Sequence, residues 1–78
     1  MAYHYNFNQN LYTEHYTINI DKRAQYGYFE NCFNRTSGGL WFKDNTLIDY
    51  SGVPELPKQI HEALTNEGYN IRLIKHEQ

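Results

Sequence analysis

Short runs of period-two alternation, each closed by turn-forming residues, recur along this chain and constrain its fold more than any other feature. From Leu11 to Ile20, Tyr12, Tyr16, Ile18 and Ile20 share one face with Glu14, and Leu11, Thr13, His15, Thr17 and Asn19 share the other. That pattern predicts a half-buried strand. Asp21 to Gln25 is short and polar and reads as a hairpin turn. Tyr26 to Phe33 is a second strand, with Phe29 and Phe33 expected to point inward. Asn34 to Gly39 is a cluster of turn formers. Leu40-Trp41-Phe42 is a third strand, with Leu40 and Phe42 on one face and Trp41 on the other. Lys43-Asp44-Asn45 is a tight turn, and Thr46 to Tyr50 a fourth strand.

The period then changes. Leu56, Ile60, Ala63 and Leu64 follow helical spacing, with Lys58, Gln59, Glu62 and Thr65 outward. Pro57 suits a first helical position and Gly68 a C-terminal cap, so a helix is expected over about 57–67. Tyr69, Ile71 and Leu73 then alternate with Asn70, Arg72 and Ile74, a fifth strand. Residues 1–9 also alternate and read as an edge strand or an arm. The expectation is one α+β domain over 1–78: an antiparallel meander of four to five strands with one short helix packed on one face, in the order ββββαβ. A helix of about 11 residues spans about 16 Å. It covers part of one face, and an antiparallel sheet can leave its other face open.

Composition says what that open face carries. Tyr, Phe and Trp make 17% of the 78 residues, and nine Asn and four Gln give a polar, low-charge background. So small a core cannot hide eight tyrosines and a tryptophan. A contiguous aromatic patch on a sheet marks a partner surface. The candidates are Tyr12, Tyr16, Tyr26, Tyr28 and Trp41, with Glu30, Asp44 and Asp49 as acidic neighbours.

Chemistry is harder to find. His4, His15, His61 and His76 are scattered, and with one cysteine the chain offers no zinc spacing; no metal or cofactor is expected. Cys32 has no basic neighbour in sequence to activate it and reads as a small apolar filler in a strand. Asp44 and Asp49 read as solvated acids around a hairpin, so no catalytic residue is assigned. Gly38-Gly39 precedes a strand rather than a helix N-terminus, so it reads not as a phosphate cradle but as a turn, or as a place where the backbone takes positive φ. Asn34-Arg35-Thr36 fits a glycosylation sequon, read as coincidence. Tyr26-Gly27-Tyr28-Phe29 resembles part of the aromatic motif of RNA-recognition sheets, but Glu30 stands where an aromatic should. The net charge of −2 also gives no basic stripe. Nucleic acid is therefore disfavoured as a partner. No apolar window reaches the roughly 18 residues of a membrane span, and no N-terminal basic-then-apolar pattern is present. The expected location is the cytoplasm.

Tyr26 to Glu30, Gly38 to Phe42, Asp49 to Val53 and Leu56-Pro57-Lys58 look like a family signature. In size, aromatic compactness and lack of catalytic motifs the chain resembles small phage and mobile-element proteins that block bacterial defences, the anti-CRISPR proteins among them. The resemblance implies a stoichiometric inhibitor, in the host cytoplasm, that binds a CRISPR-Cas effector subunit by surface complementarity. Many such inhibitors are clearly acidic, and −2 is mild, which counts against charge mimicry of DNA. The expected function is thus a non-enzymatic protein-binding module acting by occlusion. The alternatives are a homodimer that buries its aromatic faces and a single-strand nucleic-acid binder.

Overall fold

The computed structural model describes residues 8–74. They form β1 (Asn8–Tyr12), β2 (Tyr16–Asp21), β3 (Tyr26–Asn31), β4 (Ser37–Lys43), β5 (Thr46–Tyr50), α1 (Lys58–Asn66) and β6 (Asn70–Ile71). All six strands belong to one sheet in the order of the chain. The first four pairings are antiparallel and β5 pairs with β6 in parallel. The α+β class and the mostly antiparallel sheet agree with the sequence. The order is βββββαβ rather than ββββαβ, and the last strand makes the sheet mixed.

The added strand arises at Thr13. Residues 11–20 do not run as one strand but turn back at Thr13-Glu14-His15. The turn carries no Gly, Pro, Asn or Asp. The Thr13 N–H donates to the Tyr16 carbonyl and the Tyr16 N–H to Thr13 Oγ1, both 2.9 Å. A side chain from the helix completes it. Gln59 Oε1 accepts from the Thr13 hydroxyl at 2.8 Å and from the His15 N–H at 2.9 Å. Gln59 is therefore not an outward residue but the clip between α1 and the first hairpin. Because of the turn, Leu11 lies opposite Ile18 and both are buried.

The core lies on one face of the sheet, under the helix. Leu11, Ile18, Ile20, Phe29, Leu40, Phe42 and Leu47 supply the sheet side, Ile60 and Leu64 the helix side, and Tyr69 closes one end. Ile60 and Leu64 are four apart, one helical turn, so both point at the sheet. The helix ends in a Schellman arrangement around Gly68 (φ +99°): the Gly68 N–H donates to the Thr65 carbonyl and the Tyr69 N–H to the Leu64 carbonyl, each 3.0 Å. This sends the chain straight into β6. Tyr69 then donates its phenol O–H to Gln9 Oε1 of β1 at 2.6 Å. The two ends of the strand order thus meet across the inner face, and the sheet is curled.

Two local features set which side chains face in. At Asn31 the β3 alternation stops. Its Oδ1 accepts the N–H groups of Phe33 (2.8 Å) and Asn34 (3.0 Å), which folds the following residues into a turn. Phe33, expected inside, is 73% exposed with its ring edge-on to His15, and Cys32 is exposed rather than filling a strand. In β5 the ladder shifts by one residue: Trp41 lies opposite Asp49, but Phe42 lies opposite Leu47, leaving Ile48 as the extra residue of a bulge. Leu47 therefore faces the core while Asp49, two residues on, faces the other side.

Gly38 and Gly39 do not form a turn; they belong to β4. Gly38 is passed closely by Ser51, whose carbonyl oxygen occupies the space a β-carbon would need. Ser51 also binds Gly39, through its N–H to the Gly39 carbonyl and its Oγ to the Gly39 N–H, both 3.0 Å. The fifth expected strand, over 69–74, is assigned only at Asn70–Ile71. Its rungs nevertheless continue, with the Arg72 N–H on the Leu47 carbonyl and the Ile74 N–H on the Ile48 carbonyl, both 2.9 Å.

Tyr69 gives the fold a pH dependence. Burial, and secondarily the Glu67 carboxylate, raise its phenol above the usual tyrosine range. The folded protein therefore keeps this proton to a higher pH than the unfolded chain. Its contribution is complete below about pH 10 and declines as pH rises through the folded value. Melting temperatures measured from about pH 8 to about pH 11 should fall more steeply for wild type than for Tyr69→Phe. Equal slopes would mean that the phenol is not buried against Gln9.

Candidate functional site: the uncovered sheet face

The register assigns the outer face row by row, because directly opposed residues point to the same side. One row is Asn8, Asp21, Tyr26, Trp41 and Asp49. The next is Asn10, Asn19, Tyr28 and Gly39. The third is Tyr12, Thr17, Glu30 and Ser37. Alternation from the buried Leu40 and Phe42 puts Trp41 here, as expected from the sequence.

Tyr26, Tyr28 and Trp41 stand in adjacent rows of this face. Tyr26 and Trp41 meet edge to face, with ring centroids 5.3 Å apart. The Trp41 ring lies along the sheet rather than standing off it, because Gly39 beneath it has no side chain. A β-carbon at Gly39 would fall 2.8 Å from Trp41 Cη2 and 3.3 Å from Tyr26 Cε1. That seat explains why Trp41 is only 38% exposed while Tyr28, beside the same glycine, is 52% exposed. A shallow hollow beside these rings is lined by Tyr26, Tyr28, Glu30, Ser37 and the two glycines. The face therefore combines exposed aromatic rings with polar neighbours.

The remaining candidates fall into distinct places. Tyr12 is on the outer face, 72% exposed, but at the far edge and in another row. Tyr16 is not on this face. It shares the inner side with Ile18, packs against the core, and meets Phe29 edge-on at 6.0 Å. The turn at Thr13 separates its alternation from that of Tyr12. Glu30 stands on the outer face and pairs with Arg35 at 3.3 Å. The Arg35 side chain is largely in water and that of Glu30 about half so, and an ion pair this exposed adds little to stability. Asp49 lies beside Trp41 and accepts the Tyr50 N–H at 2.8 Å. Asp44 is in the β4–β5 turn, where its N–H donates to Gln25 Oε1 at 2.8 Å, and stands beyond the end of the face. Asp21, which the sequence reading did not single out, belongs to the Tyr26–Trp41 row, but its Oδ1 is occupied by the N–H groups of Arg23 and Ala24.

Other surfaces offer less. A hollow along the exposed side of α1 is lined by Glu55 to Lys58 ahead of the helix and by His61, Glu62, Thr65 and Asn66 on it. Among the described residues no group of three His, Cys, Asp or Glu side chains is placed to hold a metal, and no helix is long and apolar enough to cross a membrane. No family model matches the chain, and no curated protein or solved structure matches it.

Proposed function

We propose that the chain is a non-enzymatic protein-binding module whose docking face is the uncovered side of the sheet, acting as an inhibitor of the anti-CRISPR type by occluding an effector surface. The observation that supports this reading is the Tyr26–Trp41 ring contact with Tyr28 in the adjacent row, all exposed on the sheet face opposite the one that the helix covers. Partly exposed, seated aromatics bring large area at little rotamer cost, and such residues dominate the energetics of protein interfaces. Glu30 and Asp49 at the margin match a basic effector surface and act mainly on association rate and salt dependence.

The test has two arms. Bacteria whose CRISPR-Cas system targets a phage should plate that phage efficiently when they express this chain and poorly when they express Trp41→Ala. In titrations of the purified effector, Trp41→Ala should bind about 30-fold more weakly, equivalent to about 2 kcal/mol for a central aromatic. Melting curves should show that it remains folded. Tyr28→Ala, which removes a ring with fewer contacts to the fold, serves as the second variant. An absence of protection by wild type would overturn the inhibitor role, and unchanged binding by both variants would overturn the docking face.

A further inference from the structure

We propose that the docking face takes an arginine side chain of its partner protein, with the guanidinium against the exposed surface of the Trp41 ring and hydrogen-bonded to the Asp49 carboxylate. The proposal rests on the reading of this face as a protein-docking surface and names the chemistry it selects. Arginine is the side chain that makes both contacts at once. Its planar cation stacks on aromatic rings, and its fork of N–H donors matches a carboxylate.

The two parts stand side by side. Trp41 and Asp49 are directly opposed in the β4–β5 ladder, an arrangement that sets Cβ atoms about 5 Å apart on one side of a sheet. The ring is held before any partner arrives: Gly39 leaves room beneath it, and Tyr26 flanks it edge-on at 5.3 Å. A ring already fixed loses little freedom on binding. Asp49 is half-buried and accepts the Tyr50 N–H through Oδ1, which leaves its second oxygen for a further donor. No cation among the described residues pairs with it; the ion pair on this face joins Arg35 to Glu30. Asp21, at the other side of the same row, is turned to the N–H groups of Arg23 and Ala24. Lys43 lies two residues beyond Trp41 on β4, while the ring extends the other way, over Gly39. The charged residues in the rows around the rings are Asp21, Glu30 and Asp49, all acidic. An arginine therefore meets attraction there, and a phosphate backbone repulsion.

Trp41 is the single tryptophan of the chain, so its indole N–H gives one isolated signal in a nitrogen–proton correlation spectrum and reports on the site directly. The probes are acetyl-Gly-Arg-Gly-amide, its citrulline counterpart, which keeps the shape and lacks the charge, and its lysine counterpart. The arginine peptide should shift the indole signal saturably, with a Kd on the order of 1–10 mM for one side chain. The citrulline peptide should bind about tenfold more weakly, having neither the cation–π nor the ion-pair contact. The lysine peptide should fall between them. Asp49→Asn should weaken arginine binding about three- to fivefold, and Asp44→Asn, the same charge change beyond the face, should leave it unchanged. A thymine oligonucleotide should not move the signal. Citrulline or lysine binding as tightly as arginine, equal effects of Asp49→Asn and Asp44→Asn, or a response to the oligonucleotide in place of the arginine peptide would each overturn the proposal. No arginine binding, with effector binding still lost in Trp41→Ala, would overturn the arginine and leave the docking face standing. Unchanged effector binding by both Trp41→Ala and Tyr28→Ala would overturn the face itself.

Discussion

Phe29→Ala is expected to cost about 3–5 kcal/mol, the usual range for emptying a buried phenylalanine site. Phe29 is fully buried in β3, between β2 and β4. Its register neighbours are Ile18 on one side and Gly38 on the other. The ring reaches over Gly38, with Cζ only 2.8 Å from where a β-carbon of that residue would lie. Truncation therefore opens a cavity beside a residue that has no side chain to fill it. The close passage of Ser51 over Gly38 also limits collapse of the backbone. A domain of this size holds about 5 kcal/mol in reserve. Chemical denaturation should thus find Phe29→Ala with at most about 2 kcal/mol of stability left and a midpoint far below that of wild type. A midpoint near that of wild type would show that the ring is not the centre of the core.

Leu64→Ala is expected to cost about 2–5 kcal/mol by a different route. The helix reaches the sheet through Ile60 and Leu64, its two buried residues. Its N-cap is Pro57, with no side-chain cap bond, so the helix relies on packing. Loss of Leu64 loosens α1 together with what it positions, the Gln59 clip on the first hairpin and the entry into β6. The melting temperature should fall strongly, with loss of both helical and sheet signal. Thr65→Ala, one residue on and exposed, is the control and should move it little. A Leu64→Ala protein that melts as wild type would mean the helix is docked on another side.

How much of this architecture could be read from residues depended on the range of the forces that decide each element. β5 over 46–50 and the helix within a residue at each end follow from local period and from Pro57 and Gly68. The opposition of Trp41 to Leu40 and Phe42 is equally local. The turn at Thr13–His15 is not, because its stabilising partner is Gln59, more than forty residues away. Missing that turn placed Tyr16 on the aromatic face, while its ring belongs to the core. Gly38-Gly39 carries the composition of a turn, but its glycines answer to steric needs elsewhere: the crossing of Ser51 and the seat of Trp41. Phe33 lost its inward position to Asn31, whose side chain bends the backbone two residues earlier. The bulge at Ile48 has no composition signal at all. The aromatic patch was legible because three of its members sit on uninterrupted alternation in β3 and β4.

Each antiparallel pair in this sheet joins strands that are adjacent in the chain; only α1 and β6 reach across. Neighbouring pairings close short loops, so the meander can assemble hairpin by hairpin with little conformational search. The crossover from β5 through α1 to β6 has to wait until β5 is in place. During synthesis α1 and β6 also leave the ribosome after the meander. A nascent chain therefore presents Ile18, Ile20 and Phe29 to water until its helix arrives. Docking of the helix, through Ile60 and Leu64, is what takes that surface out of water.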